Sequence, residues 1–246
     1  PLYSSAASDV YKRQLLYIEK SIIVLFAIFI LSFIAFQKSK NYFFFLLAIL
    51  SANLAIYSKE TAFLAISTFA TLHVCFSWKI RDKTTFFLNS LLIISALAYL
   101  TYYLAMIWPN RNPFNLYLGQ HADSFIIFLK NSFNYAFTSD PILFFLLLPL
   151  TIYRIYQIFF QKKSAHPVLD SMIGTANIYV LAYLTLNIYS PYYLLPAFVF
   201  AIPPILFFIF PANNLTNFWK MTYGIAFFCL FFNSIPCLLY TSPSPR

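Results

Sequence analysis

The chain has 246 residues, of which 61% are hydrophobic, 22% aromatic and only 9% charged, and its formal net charge is +9. Soluble domains carry about 25% charged residues, so the composition argues against one and for a polytopic membrane protein. The positive excess does not indicate nucleic acid, because Lys and Arg fall in short clusters between apolar runs, as membrane topology places them; with three glycines, no Gly-rich phosphate loop or dinucleotide fingerprint is present.

The two ends read differently from the middle. SSAASDVYKRQ, Ser4 to Gln14, resembles the frame translation of a transposase sequencing adapter, and CLLYTSPSPR, Cys237 to Arg246, resembles that of the reverse adapter. Such segments stand outside fold reasoning. The expected organisation is therefore an adapter-derived, disordered stretch over 1–14, a transmembrane helical domain over 15–236 belonging to a longer protein, and a second adapter stretch over 237–246. Cys75 and Cys229 remain, each within an apolar run, and read as packing residues.

A spanning helix needs roughly 20 apolar residues. In chain order the candidates are Leu15 to Phe36, Asn41 to Tyr57, Thr61 to Trp78, Phe86 to Ile107, Pro141 to Phe160, Val168 to Tyr189, Tyr192 to Phe210, and Trp219 to Pro236. The expected fold is all-α, a polytopic bundle of about eight spans. One long loop, Trp108 to Asp140, carries an amphipathic pattern: Phe125, Phe128, Leu129, Phe133, Ala136 and Phe137 fall at helical spacing opposite Lys130, Asn131 and Asn134. It reads as a helix lying at the interface, after which Asp140 and Pro141 restart the chain as N-cap and first helical residue.

Lys and Arg set orientation. The odd loops contain Lys38, Lys40, Lys79, Arg81, Lys83, Arg154, Lys162, Lys163 and Lys220, the even ones only Lys59, Arg111 and Lys130. The odd loops are therefore expected in the cytoplasm. The Lys59–Glu60 turn, the long loop and the Tyr189-Ser190-Pro191 turn then share the outer face.

Lys59 and Glu60, in NLAIYSKETAFLAI, admit two readings. In one, Ser58 caps the following helix, Glu60 complements its dipole and Lys59 snorkels to the headgroups. In the other, an ammonium at a helix N-terminus makes an anion site suited to a lipid-linked phosphate. Ser67 and Thr71 follow Glu60 at helical spacing, so that face is expected to turn inward. His121 and Asp123, in LGQHADS, could hold a divalent metal, though two ligands do not make a site and a solvated loop is the commoner reading. His73 is expected to bond a neighbouring helix rather than a metal. In IYSPYYLLPAFVFAIPP the tyrosines suit an aromatic belt, and Pro191, Pro196, Pro203 and Pro204 suggest a kinked or broken helix beside a cavity. NLT at Asn214 matches a glycosylation sequon but falls in an expected cytoplasmic loop.

Two of these segments carry a resemblance. LAILSANLAIYSKETAFLAI resembles the helix-Lys-helix segment of GT-C integral membrane glycosyltransferases, and PYYLLPAFVFAIPPIL resembles their later Arg-Tyr-x-Leu-Pro-Ala-x-Pro segment, with Pro191 or Tyr192 where the family has arginine. The resemblance implies transfer of sugar from a polyprenyl-phosphate carrier to an acceptor at the outer face of the bacterial cytoplasmic membrane. Lys59 would contact the carrier phosphate and Glu60 would orient Lys59 or the acceptor. Arg111, Tyr192 and Tyr193 complete the candidate substrate-binding set, and the catalytic carboxylate belongs to an upstream outer loop outside this chain. The implied partners are the bilayer and a lipid-linked sugar donor, with no nucleic acid; a divalent metal is left open as cofactor. The alternatives are a transporter or flippase of a lipid-linked solute, which needs intramembrane charge near the midplane, and an O-antigen polymerase or ligase.

Overall fold

A computed structural model describes residues 2–78, 80, 82–109, 130–131, 134, 143–185 and 191–209. The regular structure among these residues is helical, with no strand among them. In chain order the helices are α1 (Leu2–Ser39), α2 (Tyr42–Ser58), α3 (Ala62–Ser77), α4 (Lys83–Tyr102), α5 (Leu148–Ile155), α6 (Pro167–Thr185) and α7 (Pro191–Ile209). A π-helical turn, Tyr103–Ile107, extends α4, and two more, Leu143–Leu147 and Tyr156–Phe160, flank α5. The α1 backbone is helical from Leu2, through the stretch ascribed to adapter codons; the origin of those codons is a separate matter from the form of the backbone. Residues 219–236 lie outside the described residues.

Two helical stretches are long and apolar enough to cross a membrane, Ser21–Ser39 and Lys83–Ile107; Tyr42–Ser58, Ala62–Ser77, Phe144–Phe160 and Pro196–Phe208 are apolar but shorter. Two compact units can be separated, the first Pro1–His121 with Ser164–Phe200 and the second Ala122–Lys163 with Ala201–Arg246.

In the first unit α2 packs on α1, and α3 lies between α4 and α6. Which face each helix buries is set by small residues. On α2 the buried residues are Ala48, Ser51, Ala52, Ala55 and Ile56, and on α3 they are Ala62, Ala65, Ile66, Phe69, Ala70 and His73. Both sets repeat at three and four residues, one stripe of a helix. Alanine and serine let helix backbones approach closely, which is how membrane helices associate where lipid supplies no hydrophobic drive. The α3 stripe overturns one expectation: Thr71 is exposed and Ser67 only half-buried, so the inward face is the alanine face. Against it α1 contributes rings. Phe29 and Phe33 meet Phe69 edge-on at 5.3 and 5.0 Å, and Phe26 meets Phe200 of α7 at 5.1 Å. Edge-to-face pairs of this kind add about 0.5–1.5 kcal/mol each beyond area burial.

At one end of this unit a polar network ties three helices together. The backbone turns at Lys40 in the left-handed region (φ 54°), its N–H bonding Phe36 O at 2.8 Å to close α1. The Lys40 ammonium pairs with Asp82, which also caps α4 by accepting from the Thr84 and Thr85 backbone N–H groups. Burial pushes the Asp82 carboxyl up, but hydrogen bonds from Lys40, Thr85 and Thr84 outweigh it and hold the group well below the usual carboxylate range. A few residues deeper, His73 bonds Gln37 of α1 (Nε2 to the side-chain amide, 2.7 Å) and Asn89 of α4 (Nδ1 to Nδ2, 3.0 Å). His73 thus joins neighbouring helices as expected, and among the described residues no group of three metal-ligating side chains includes it.

Asp82→Ala is expected to cost about 1–2 kcal/mol, because the cap and the ion pair go together. The sign of the pH dependence follows from the depressed carboxyl. The contribution is present above the unfolded value of 3.8 and is lost as pH falls below it. Thermal unfolding in detergent at pH 7 and pH 3 checks this: the gap between parent and variant should narrow at the lower pH.

In the second unit α5 corrects the topology count. Arg154, assigned to a cytoplasmic loop from the sequence, lies within α5 and is buried. Its guanidinium sits over the Phe208 ring, 4.4 Å from the centroid, and it donates to Gln157 Oε1, while Gln157 Nε2 donates to the Tyr153 phenol at 2.7 Å. Arginine suits such a place because its planar, weakly hydrated head stacks on an aromatic face. The helix α7 is also unlike its expectation. It runs unbroken in backbone form through Pro196, Pro203 and Pro204, with Pro191 at its first position, where no N–H is required.

Candidate functional site

The turn between α2 and α3 is built from Lys59, Glu60 and Thr61. Lys59 is extended (φ −154°, ψ 135°), ending α2 with its N–H bonded to Ala55 O. The hairpin then closes through the Ala62 N–H to Lys59 O at 3.0 Å. Ser58 does not cap α3. Its hydroxyl turns back to Leu54 O at 2.6 Å, and the N-cap position belongs to Thr61, whose side chain makes no capping bond. No acidic residue lies in the first turn of α3. The ordinary explanation of this charged pair, a helix cap with a complementary carboxylate, is therefore not what the turn contains.

Thr61 uses its hydroxyl across the bundle instead. It lies 3.2 Å from the Tyr179 phenol and accepts from the Tyr183 phenol at 3.1 Å. Both tyrosines stand one turn apart on the buried face of α6, their rings 5.1 Å apart. The Lys59 ammonium is buried and lies 6.0 Å from the centre of the Tyr183 ring. Burial lowers its pKa to about 8, with the Glu60 carboxylate opposing the shift. Glu60 itself is exposed.

Beside this turn is a cavity of about 270 Å³, lined by Glu60 and Thr61 with Phe63, Tyr103, Trp108, Tyr179 and Tyr183 among its walls. The π-helical turn closing α4 brings Tyr103 and Trp108 into that wall, through a Trp108 N–H to Tyr103 O bond of 2.8 Å. Single π turns of this kind accumulate at functional sites, since the extra residue per turn redirects side chains that a regular helix would spread around its circumference. An aromatic cavity with a buried ammonium next to it can receive a molecule with an apolar body and an anionic head.

Of the residues singled out in the sequence, Lys59 and Glu60 are in this place. Arg111, His121 and Asp123 lie outside the described residues, as does most of the 124–137 stretch, of which Lys130, Asn131 and Asn134 are helical and exposed. Tyr192 and Tyr193 fall in the first turn of α7 as backbone only. Thr61, Tyr179 and Tyr183 were not picked out. Tyr179 and Tyr183 are spaced four apart in an apolar helix, the one signal that could have marked them as a pair on one face.

Comparison with family models, curated proteins and solved structures finds no match to this chain.

Proposed function

We propose that the chain is part of a multi-pass membrane protein of about eight spans, a GT-C-like glycosyltransferase moving sugar from a polyprenyl-phosphate carrier to an acceptor at the outer face of a bacterial cytoplasmic membrane. One observation carries the reading: a buried ammonium beside an aromatic cavity at one helix-bundle end. The carrier has both features to match, a phosphate for Lys59 and an apolar chain for the cavity. Charge-assisted contact with phosphate is among the stronger polar interactions, and Lys59 in a partly dry setting gains more from an anion than it would in water.

The membrane setting is supported by the outer surface of the first unit. Tyr42, Phe43, Leu46, Leu50, Leu54 and Tyr57 form one exposed ridge of α2, and Phe86, Phe87, Ile94 and Leu97 another on α4. Contiguous apolar area on this scale is unusual for a protein facing water. At 17 residues, α2 is about 25 Å long, short of the hydrocarbon core by an amount that interfacial Tyr42 and Tyr57 can make up.

Lys59→Ala in the complete protein is expected to abolish transfer while leaving expression and helix content intact. Retained transfer would return Lys59 to a purely structural role. The transporter reading has one observation in its favour, the buried Arg154 of α5, since ionisable groups inside apolar helices commonly mark solute paths. Solute flux lost in Arg154→Gln and kept in Lys59→Ala would put that reading first. Against it, Phe26, Phe29, Phe33, Phe69 and Phe200 pack as an apolar cluster within the first unit.

A further inference from the structure

We propose that Thr61, Tyr179 and Tyr183 form a three-hydroxyl clamp that positions the Lys59 ammonium, with the Tyr183 ring as its seat. This rests on the reading of Lys59 as the anion-binding residue and adds how that residue is held. Neither Ser58 nor Thr61 caps α3 through its side chain, so a side-chain cap is not what sets the angle at which α2 hands over to α3. The Lys59–Ala62 backbone bond alone leaves the long lysine side chain about 2 kcal/mol of rotamer entropy to lose.

What fixes the turn comes from α6. The Tyr183 phenol donates to Thr61 Oγ1 at 3.1 Å and the Tyr179 phenol lies 3.2 Å from the same atom. A threonine hydroxyl has one proton and two lone pairs, enough to serve both phenols. Tyr179 and Tyr183 are almost fully buried, so their hydroxyls find protein partners or none, and buried phenols favour those that have them. The same Tyr183 presents its ring to the ammonium at 6.0 Å, within reach of the ring quadrupole. One side chain therefore holds the backbone two residues after Lys59 and the charged end of Lys59 itself.

Among the described residues, Glu60 is the neighbour of Lys59 in the turn and the Tyr183 ring of α6 faces its ammonium, while Tyr179 and Tyr103 line the cavity beside the turn. Of these only Glu60 carries charge at neutral pH. The state of Lys59 is consequently a readout of how dry the clamp keeps it. Burial is the larger influence, and it is opposed by Glu60. Loosening the clamp admits water and moves the ammonium back toward the ordinary lysine value.

The test is the pH midpoint of Lys59 acylation by acetic anhydride, followed by peptide mass spectrometry, on the full chain in detergent micelles. The parent is expected to show a midpoint of about 8. Thr61→Val, which keeps the shape and removes the shared hydroxyl, should raise it by about one unit, and Tyr183→Ala should raise it further. Tyr183→Phe should raise it less than Thr61→Val does, because the ring remains and Tyr179 still holds Thr61. Thr61→Ser should restore the parent midpoint. Circular dichroism checks that each variant is folded, and Thr61→Val is mild enough to stand if Tyr183→Ala fails. Equal midpoints in parent and Thr61→Val, or a shift in Thr61→Ser as large as that in Thr61→Val, overturn the clamp. A parallel arm adds a polyprenyl phosphate to the micelles. If it fails to protect Lys59 from acylation while the midpoints still shift, the anion reading falls and the clamp stands.

Discussion

Replacing Lys59 by methionine is expected to make the protein more stable and, on the proposed reading of Lys59 as the anion-binding residue, to weaken binding of a phosphate-bearing lipid, two changes that a surface lysine would not produce together. Methionine keeps the length and apolar stem of the side chain and removes a charge that burial disfavours. A shift of one pKa unit corresponds to about 1.4 kcal/mol; after allowance for partial solvation, the gain should be roughly 1–3 kcal/mol. Losing the only ammonium in the turn should weaken phosphate binding by about 10–100-fold, the range expected of one charge-assisted hydrogen bond. The pH dependence separates the two effects. The folded protein releases the Lys59 proton near 8, whereas the unfolded chain keeps it up to 10.5. Between those values the unfolded state binds more protons, so stability rises with pH in the parent and this rise is absent in the variant. On the proposed reading, phosphate binding should run the other way and fall as pH passes about 8, because only the charged form attracts the anion. Chemical denaturation in micelles at pH 7 and pH 10, with lipid-phosphate binding at both, measures both slopes. Parallel stability curves for parent and Lys59→Met would show that the ammonium is ordinarily solvated.

Much of the helix layout can be read from the sequence, and the reason is length. Apolar runs of spanning size leave few ways to place an element, so Asn41 to Tyr57 and Thr61 to Trp78 differ by a residue from Tyr42–Ser58 and Ala62–Ser77. Facing is different. A helix that is apolar all round carries no amphipathic stripe from which a buried side can be deduced. On α3 the polar Ser67 and Thr71 were a misleading guide, because in such a helix a lone hydroxyl can bond its own backbone, as Ser67 does to Leu64 O at 3.2 Å. The informative residues were Ala62, Ala65 and Ala70, whose small size is the condition for close packing.

The site was legible in part for the same reason. Lys59 and Glu60 stand out as charges in an apolar chain, so attention to them required only composition. Their partners do not stand out. Tyr179 and Tyr183 are two of 19 tyrosines, and nothing in sequence ties them to Thr61, more than a hundred residues earlier. Arg154 failed in the opposite way. It was counted with Lys162 and Lys163 because positive charge usually marks the end of a span, yet stacking on Phe208 and bonding to Gln157 keep it inside. Lys38, Lys40 and Lys83 are unaffected by this, lying at the ends of α1, α2 and α4 opposite the Lys59 turn.

Gly174→Leu is expected to separate α3 from α6 and cost on the order of 3 kcal/mol, with the clamp lost as a consequence. The position has no room. A Cβ added at Gly174 would lie 2.4 Å from Leu72 Cδ1, closer than carbon atoms approach in a packed interior. For alanine the problem is soluble, since Leu72 is only half-buried and the colliding atom is the end of a flexible side chain. Its rotation should offset the overlap, and alanine gains about 1 kcal/mol of helix propensity over glycine, so Gly174→Ala should be close to neutral. A leucine carries three further carbons into the same space, more than the end of one flexible side chain can yield, so the helices are expected to move apart. The buried Ser171, Thr175 and Ala176 of α6, which pack tightly because they are small, would then lose their contacts together. The double variant Gly174→Leu with Leu72→Ala gives the decisive comparison. If the cost is steric, removing the Leu72 side chain should recover at least half of it, giving a coupling of about 1–2 kcal/mol by the double-mutant cycle. Additive losses in the two single variants would mean that α3 and α6 are not held at this distance by Gly174. Because Thr61 lies at the start of α3 and Tyr183 near the end of α6, the same cycle followed by Lys59 acylation would report whether helix spacing at Gly174 sets the geometry of the turn about three helical turns away.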